Sequence, residues 1–275
     1  MIRAILLGDI MGKAGRRCLD RLLGDLRAEF TPDLVMVNGE NAAGGFGLND
    51  KIFKQFVEDF GIDCITMGNH WHDKKEIHDV LTRTDRIVIP ANMSNVANED
   101  RGLRILSTTK GTQFAVINII GRAFMHGENR PIFETLDRLI AKIPEAVKIR
   151  IVDVHAEATS EKQAVGHYLT GKVSMVYGTH SHVPTADERI FSGKTGFATD
   201  IGMTGAYDSV IGVRKDAAIN RLRTGEKKNF EPAEGDPWLC ALVVDIDPTT
   251  GHCMGIKRLR RELSAYGGTS GESTP

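Results

Sequence analysis

The sequence predicts an α/β fold of layered sheets and helices in a single domain, and three observations carry that prediction. Short apolar runs rich in β-branched residues recur along the chain, amphipathic stretches separate them, and polar residues gather where the runs end. The runs cover residues 2–7, 34–37, 64–67, 87–89, 114–120, 149–154, 173–177 and 240–246, each of strand length. Leu19, Leu22, Leu23, Leu26 and Phe30 mark one helical face between the first two runs. Ile52, Phe53, Phe56, Val57 and Phe60 do so before the third, and Ile132, Phe133, Leu136, Leu139, Ile140 and Ile143 before the run at 149. Alternation of this kind covers a sheet on both faces.

Bulk properties narrow the class. The 275 residues are 41% apolar, and 35 Lys and Arg face 36 Asp and Glu. A net charge of −1 argues against a nucleic-acid coat or a polybasic membrane binder. The apolar start is too short for a signal-peptide core and is interrupted by Asp9. No run approaches the roughly 18 apolar residues of a spanning helix. Cys18, Cys64, Cys240 and Cys253 have no CxxC spacing and read as buried thiols of a reducing cytoplasm. Without a repeat or linker, residues 1–266 read as one domain and the polar residues 267–275 as a flexible tail. Residues 221–237 read as a long surface loop.

The third observation points to chemistry. The runs end in Gly8-Asp9, in Asn38-Gly39-Glu40-Asn41, in Gly68-Asn69-His70-Trp71-His72, in Asp153-Val154-His155 and in Gly178-Thr179-His180-Ser181-His182. Ligands of parallel α/β sheets bind beyond the carboxyl ends of the strands. A lone Asp after a strand is usually a cap, and a lone Asn-His pair is usually a turn. Five such ends delivering Asp, Glu, Asn and His to one rim are a ligand set for a borderline divalent metal. Of Asp153 and His155, only one reaches the rim. Two metals need a bridging carboxylate, for which Glu40 is the central candidate, leaving Asp9 as a terminal ligand. Neutral imidazoles and an Asn carbonyl leave a positive field suited to a phosphate ester.

These residues resemble the calcineurin-like metallophosphoesterases, and the likeness runs from residue 5 to about 187. Two departures are the missing His two residues after Asp9 and the Glu40 that stands for the bridging Asp. Both are similar to the YmdB-like bacterial phosphodiesterases. So are Leu7-Gly8-Asp9-Ile10-Met11-Gly12, Asn38-Gly39-Glu40-Asn41-Ala42-Ala43-Gly44-Gly45 and His155-Ala156-Glu157-Ala158-Thr159-Ser160-Glu161-Lys162. The resemblance implies a layered metallophosphoesterase sandwich, β-sheets flanked by helices. It also implies a cytoplasmic hydrolase of 2′,3′-cyclic nucleotides with two divalent or trivalent metals, iron or manganese, though the donors admit zinc or cobalt. By the same resemblance Asp9, Glu40 and His182 hold one metal, with Asn41 supplying the oxygen of the missing His. Glu40, Asn69, His155 and His180 hold the other. His70 becomes the proton donor while a metal-bridging hydroxide attacks phosphorus.

Other features are weighed and set aside. Gly44-Gly45-Phe46-Gly47 lacks P-loop spacing and reads as a flexible turn near the metals. Ser160 with Gln163 reads as a capping box, and Asp73 with Glu76 as a cap. His72, His78, His126, His167 and His252 have no identifiable partner, and Asp200 reads as a hydrogen-bonding residue. Substrate-binding residues stay unassigned. The only basic residues near the motifs, Lys74, Lys75 and Lys162, favour a small-molecule diester over a dianionic monoester. The alternatives are a phosphomonoesterase on the same metals and a nucleotide-binding regulator with little turnover. A homo-oligomer is compatible with the sequence, whereas direct nucleic-acid binding and membrane association are not expected.

Overall fold

The computed structural model describes residues 1–94, 99–226 and 230–266, so the tail expected at 267–275 lies outside the described residues. In chain order the strands are β1 (Ile2–Ile10), β2 (Leu34–Asn38), β3 (Cys64–Thr66), β4 (Ile87–Val88), β5 (Leu103–Ser107), β6 (Gln113–Ile120) and β7 (Ile149–His155). They continue with β8 (Met175–Thr179), β9 (Arg189–Phe191), β10 (Thr195–Ala198), β11 (Met203–Ala206), β12 (Pro237–Ile246) and β13 (Cys253–Glu262). The helices are α1 (Gly12–Phe30), α2 (Asp50–Lys54), α3 (Ile77–Arg83), α4 (Ile132–Ala141), α5 (Thr159–Tyr168) and α6 (Lys215–Thr224). A π turn, Gln55–Asp59, extends α2.

Two mixed sheets result. The first has the order β13-β12-β11-β1-β2-β3-β4 and the second β5-β6-β7-β8-β10-β9. On β1, Ala4 and Leu6 pack between the sheets with Val116, Ile151 and Tyr177, while Ile5 and Leu7 pack outward with Leu19, Leu22 and Leu26 of α1. Each strand of this kind is buried on both faces, which is why its sequence is a continuous apolar run. On the far side, Leu136 and Leu139 of α4 and Val165 of α5 cover Ile117, Ile119, Val152 and Val154 of the second sheet. The result is a four-layer sandwich of helix, sheet, sheet and helix.

Several local expectations are corrected. Residues 221–224 complete α6 instead of opening a loop, because Gly225 ends the helix in the left-handed conformation at φ 77°. The weak apolar stripe of α6, with Ala218 as its buried residue, hides it from periodicity. Ser160 forms no capping box: α5 already begins at Thr159, and Ala158 at its N-cap makes no side-chain bond. β13 is an edge strand carrying Lys257, Arg258, Arg260 and Arg261, and such charge on an edge blocks further strand pairing.

Two features fix the strand ends that matter. The β1–β2 register shifts between Leu7 and Asp9, a bulge that re-aims the Asp9 side chain. A Cβ on Gly8 would lie 1.7 Å from the Gly202 carbonyl oxygen, so this position admits only glycine. Behind β8, Lys162 is 1% exposed and its Nζ lies 2.7 Å from Asp200 Oδ2. Asp200 also accepts from Ser181 Oγ at 2.8 Å and from Gly202 N at 2.7 Å, so this pair clamps the segment after β8. Removing one partner strands a buried charge. Lys162→Ala is expected to cost about 3–5 kcal/mol in urea denaturation, and a loss under about 1 kcal/mol would show the pair to be dispensable.

Candidate metal centre

The site lies where the carboxyl ends of the two sheets meet. Asp9 closes β1, Glu40 and Asn41 follow β2, Asn69 and His70 follow β3, His155 ends β7, and His180 and His182 follow β8. The structure brings all eight together, in two clusters with His70 at their edge.

In the first cluster, His155 Nε2 lies 3.1 Å from Glu40 Oε1, 3.1 Å from Asn69 Oδ1 and 3.1 Å from His180 Nδ1. The other imidazole nitrogens are committed elsewhere. Thr179 Oγ1 donates to Asp153 Oδ1 at 2.7 Å, so it accepts the His155 Nδ1–H at 2.9 Å. His180 Nε2 lies 3.2 Å from Glu157 Oε2 and donates to it. Glu40 Oε1, Asn69 Oδ1, His155 Nε2 and His180 Nδ1 therefore converge on one spot. The Glu40, His155 and His180 donor atoms all lie within 4.8 Å of one another.

The second cluster follows the same rule. His182 Nδ1 donates to the Ile211 carbonyl at 2.7 Å, and its Nε2 faces Asn41 Oδ1 at 3.2 Å and Asp9 Oδ1 at 4.0 Å. The Asn41 amide is oriented by its Nδ2 donating to Gly45 O at 3.0 Å. Asp9 Oδ1 is buried without a hydrogen-bond partner, an arrangement that a bound cation would satisfy. Oxygen and imidazole donors of this kind suit a divalent transition metal, and fixing each imidazole through its second nitrogen is how metal-ligand histidines are oriented.

Electrostatics agree with that fit. Burial works against the His155 charge, but the Glu40 carboxylate outweighs it and holds the imidazolium up to about 9. Burial also raises the Glu40 carboxyl, yet His155 brings it down to about 2. Burial pushes Asp9 up to about 7 against the pull of His182 and His155. Burial, then the His155 charge, drives His180 down to about 3, leaving it neutral. A proton on His155 Nε2 thus occupies the place a cation would take. Gly68 makes the room: a Cβ there would sit 2.2 Å from His155 Nε2 and 2.3 Å from Glu40 Oε2.

His70 stands beside the first cluster. Its backbone N–H donates to Glu40 Oε2 at 3.1 Å, its Nδ1 lies 2.8 Å from Asp73 Oδ2, and Phe46 packs edge-on at 4.9 Å between centroids. Asp73 is therefore not a helix cap; α3 starts later, behind Glu76, and the Asp73 carboxylate holds the His70 ring. The turn around Phe46 is pinned, with Gly47 N donating to Glu40 O.

Sequence reasoning missed the supports. Asp153, Thr179, Glu157 and the Ile211 carbonyl orient the three histidines, and only Asp153, two residues before His155 on one strand face, left a signal. Asp153 lies a layer below the rim that His155 reaches. The remaining histidines pack or face solvent: His78 meets Trp71 edge-on and His167 stacks on Phe191.

The chain has the fold of the calcineurin-like phosphoesterase YfkN from Bacillus subtilis, with a TM-score of 0.53 at 13% identity over 96% of this chain and 91% of that one. The model of the YmdB-like protein family matches residues 5–259, and the chain belongs to that family. It is 40% identical to a Bacillus subtilis (strain 168) protein named 2′,3′-cyclic-nucleotide 2′-phosphodiesterase, over 94% of this chain and 96% of that protein. A solved Mycoplasma pneumoniae structure described as a novel phosphatase superposes with a TM-score of 0.88 at 32% identity, covering 95% and 93% of the two chains.

A metal seated among these donor atoms would displace the His155 proton. Calorimetric titration with Mn²⁺ at about pH 7.5, in buffers of different ionisation heat, is expected to show release of about one proton from His155 and a fraction from Asp9. Affinity should fall as the pH is lowered from about 8 to about 6, since both groups then hold their protons. Gly68→Ala should abolish binding while the circular dichroism spectrum stays native. Binding without proton release, or intact binding in Gly68→Ala, would contradict the assignment.

Proposed function

We propose that this chain is a dinuclear-metal phosphodiesterase that opens 2′,3′-cyclic nucleotides to 3′-monophosphates. The observation that carries the reading is the pair of clusters in which carboxylate, amide and imidazole lone pairs converge with their other hydrogen-bonding positions already filled. The substrate class comes from the Bacillus subtilis relative, whose name specifies the 2′-bond of a 2′,3′-cyclic nucleotide.

Glu40, Asn69, His155 and His180 would hold one metal, and Asp9, Asn41 and His182, together with Glu40, the other. Iron or manganese is the natural occupant, and the same donors accept zinc or cobalt. When bound, the metals supply an acidified water and neutralise the phosphoryl oxygens. The chain does the rest. Asp73 fixes His70 through Nδ1 and offers a countercharge to its imidazolium, so the Nε2 proton is presented to the leaving group. The oxygen of a water that has given one proton to solvent adds to phosphorus, the P–O2′ bond breaks, and O2′ takes the His70 proton, which solvent then restores.

Lys162 is locked against Asp200 and cannot clamp a dianion, which favours the diester over a monoester. No described helix is long and apolar enough to cross a membrane. The four cysteines are buried and unbonded, as a reducing compartment allows, and we place the reaction in the cytoplasm. We take residues 1–266 as the catalytic domain and 267–275 as its tail.

Mn²⁺-loaded protein is expected to hydrolyse 2′,3′-cyclic AMP, and Glu40→Ala to lose that turnover. His70→Ala should slow turnover by about 10²–10⁴-fold while metal content by mass spectrometry stays near wild type. Failure of the metal-loaded wild type to turn over would overturn the cyclic-nucleotide reading. Joint loss of metal and activity in His70→Ala would make His70 structural.

A further inference from the structure

Beside the metal centre lies a cavity of about 450 Å³ whose walls include Arg16, Asn49, Asp73, Lys74 and Lys75. That volume falls in the range of small-molecule sites, roughly 300–1,000 Å³. The cavity adjoins the site directly. Asp73 both lines it and holds His70 Nδ1, and Ala43 and Gly44, which follow Asn41 closely in the chain, form another part of its wall. Lys74 is laid along the pinned turn, since a Cβ on Gly47 would meet its Cγ at 2.8 Å.

The charge of this cavity is unbalanced. Arg16 is half-buried, and its guanidinium donates to the Ala42 carbonyl. Among the described residues Arg16, Lys74 and Lys75 make no ion pair with a carboxylate. Asp73, one of the two carboxylates in the wall, is engaged by His70. Burial holds the Arg16 guanidinium below its ordinary value, with no countercharge acting against it. A half-buried cation without a countercharge calls for an anion.

We infer that this cavity is a subsite for a second phosphoryl group, carried on the 5′ side of the ribose whose 2′,3′-cyclic phosphate is opened, and bound by Arg16, Lys74 and Lys75. The inference rests on the proposed cyclic-nucleotide reaction. His70 protonates O2′, so the ribose lies on the His70 side of the centre, and the cavity lies on that side behind Asp73. The second phosphoryl group is either a terminal 5′-phosphate or the phosphodiester of a short oligoribonucleotide end. Both present the same anion to the three cations.

The test compares kcat/KM for 2′,3′-cyclic AMP, its 5′-phosphorylated form, and a diadenosine dinucleotide ending in a 2′,3′-cyclic phosphate. A second readout is calorimetric binding of adenosine 3′-monophosphate against adenosine 3′,5′-bisphosphate. Wild type should favour the ligands with a second phosphate by about tenfold or more in both readouts. In the triple variant Arg16→Gln, Lys74→Gln, Lys75→Gln that ratio should fall to about one. In the remote charge-matched variant Lys110→Gln, Lys142→Gln, Lys257→Gln it should persist. Preference for the 5′-phosphorylated mononucleotide alone would identify a terminal phosphate, and preference for the dinucleotide a strand end. A wild-type ratio near one, its survival in the triple variant, or equal loss in the remote variant would overturn the subsite. If none of the cyclic substrates is hydrolysed the parent reading fails, and the binding ratio still decides the subsite.

Discussion

The carboxylate of Asp153 is the interaction on which the site depends. It is fully buried, and burial pushes its carboxyl above the usual range. Three donors compensate: Thr66 Oγ1 and Asn38 Nδ2 reach it from the first sheet, and Thr179 Oγ1 from the second. A buried ionised group without such partners would cost several kcal/mol, so the network fixes how the two sheets face each other at their carboxyl ends. It also fixes chemistry. Because Thr179 donates to Asp153, it must accept from His155 Nδ1, and Nε2 is the nitrogen left to face Glu40. Asn38 extends the same control by accepting the Glu40 backbone N–H at 3.1 Å.

From this base the remaining histidines of the site are held with little freedom. His180 and His182 have φ of 91° and 64°, in the left-handed region where a non-glycine residue costs about 1–3 kcal/mol. That strain is sustained by the Lys162–Asp200 pair behind the segment, by Glu157 and by the Ile211 carbonyl. It lets two histidines only two residues apart serve different clusters: His180 faces Glu40 and His155, and His182 faces Asp9 and Asn41. The opposed tendencies of Glu40 and His155 mark the space between them as one that favours positive charge.

Much of this was legible in the sequence. Strands buried on both faces announce themselves as apolar runs, so the central strands and the ligand-bearing turns after them follow from the chain itself. What stayed hidden has physical causes. The edge strand β13 is charged because its exposed edge must resist pairing, and α6 buries too little surface to show a stripe. Asp73 and Ser160 look like caps because short polar residues ahead of a helix usually are. Whether a side chain caps or instead holds a neighbour depends on where the helix starts, and sequence boundaries do not fix that within a turn. Thr179, Glu157 and Ile211 act through contacts distant in the chain, which no local pattern encodes.

We propose that the convergent donor atoms form a cradle for two metals. Anomalous diffraction from crystals grown with Mn²⁺, with data collected above the manganese edge, tests it most directly. Two peaks about 3.5–4 Å apart are expected, one among Glu40, Asn69, His155 and His180 and the other against Asp9, Asn41 and His182. A single peak, or peaks away from these residues, would contradict it.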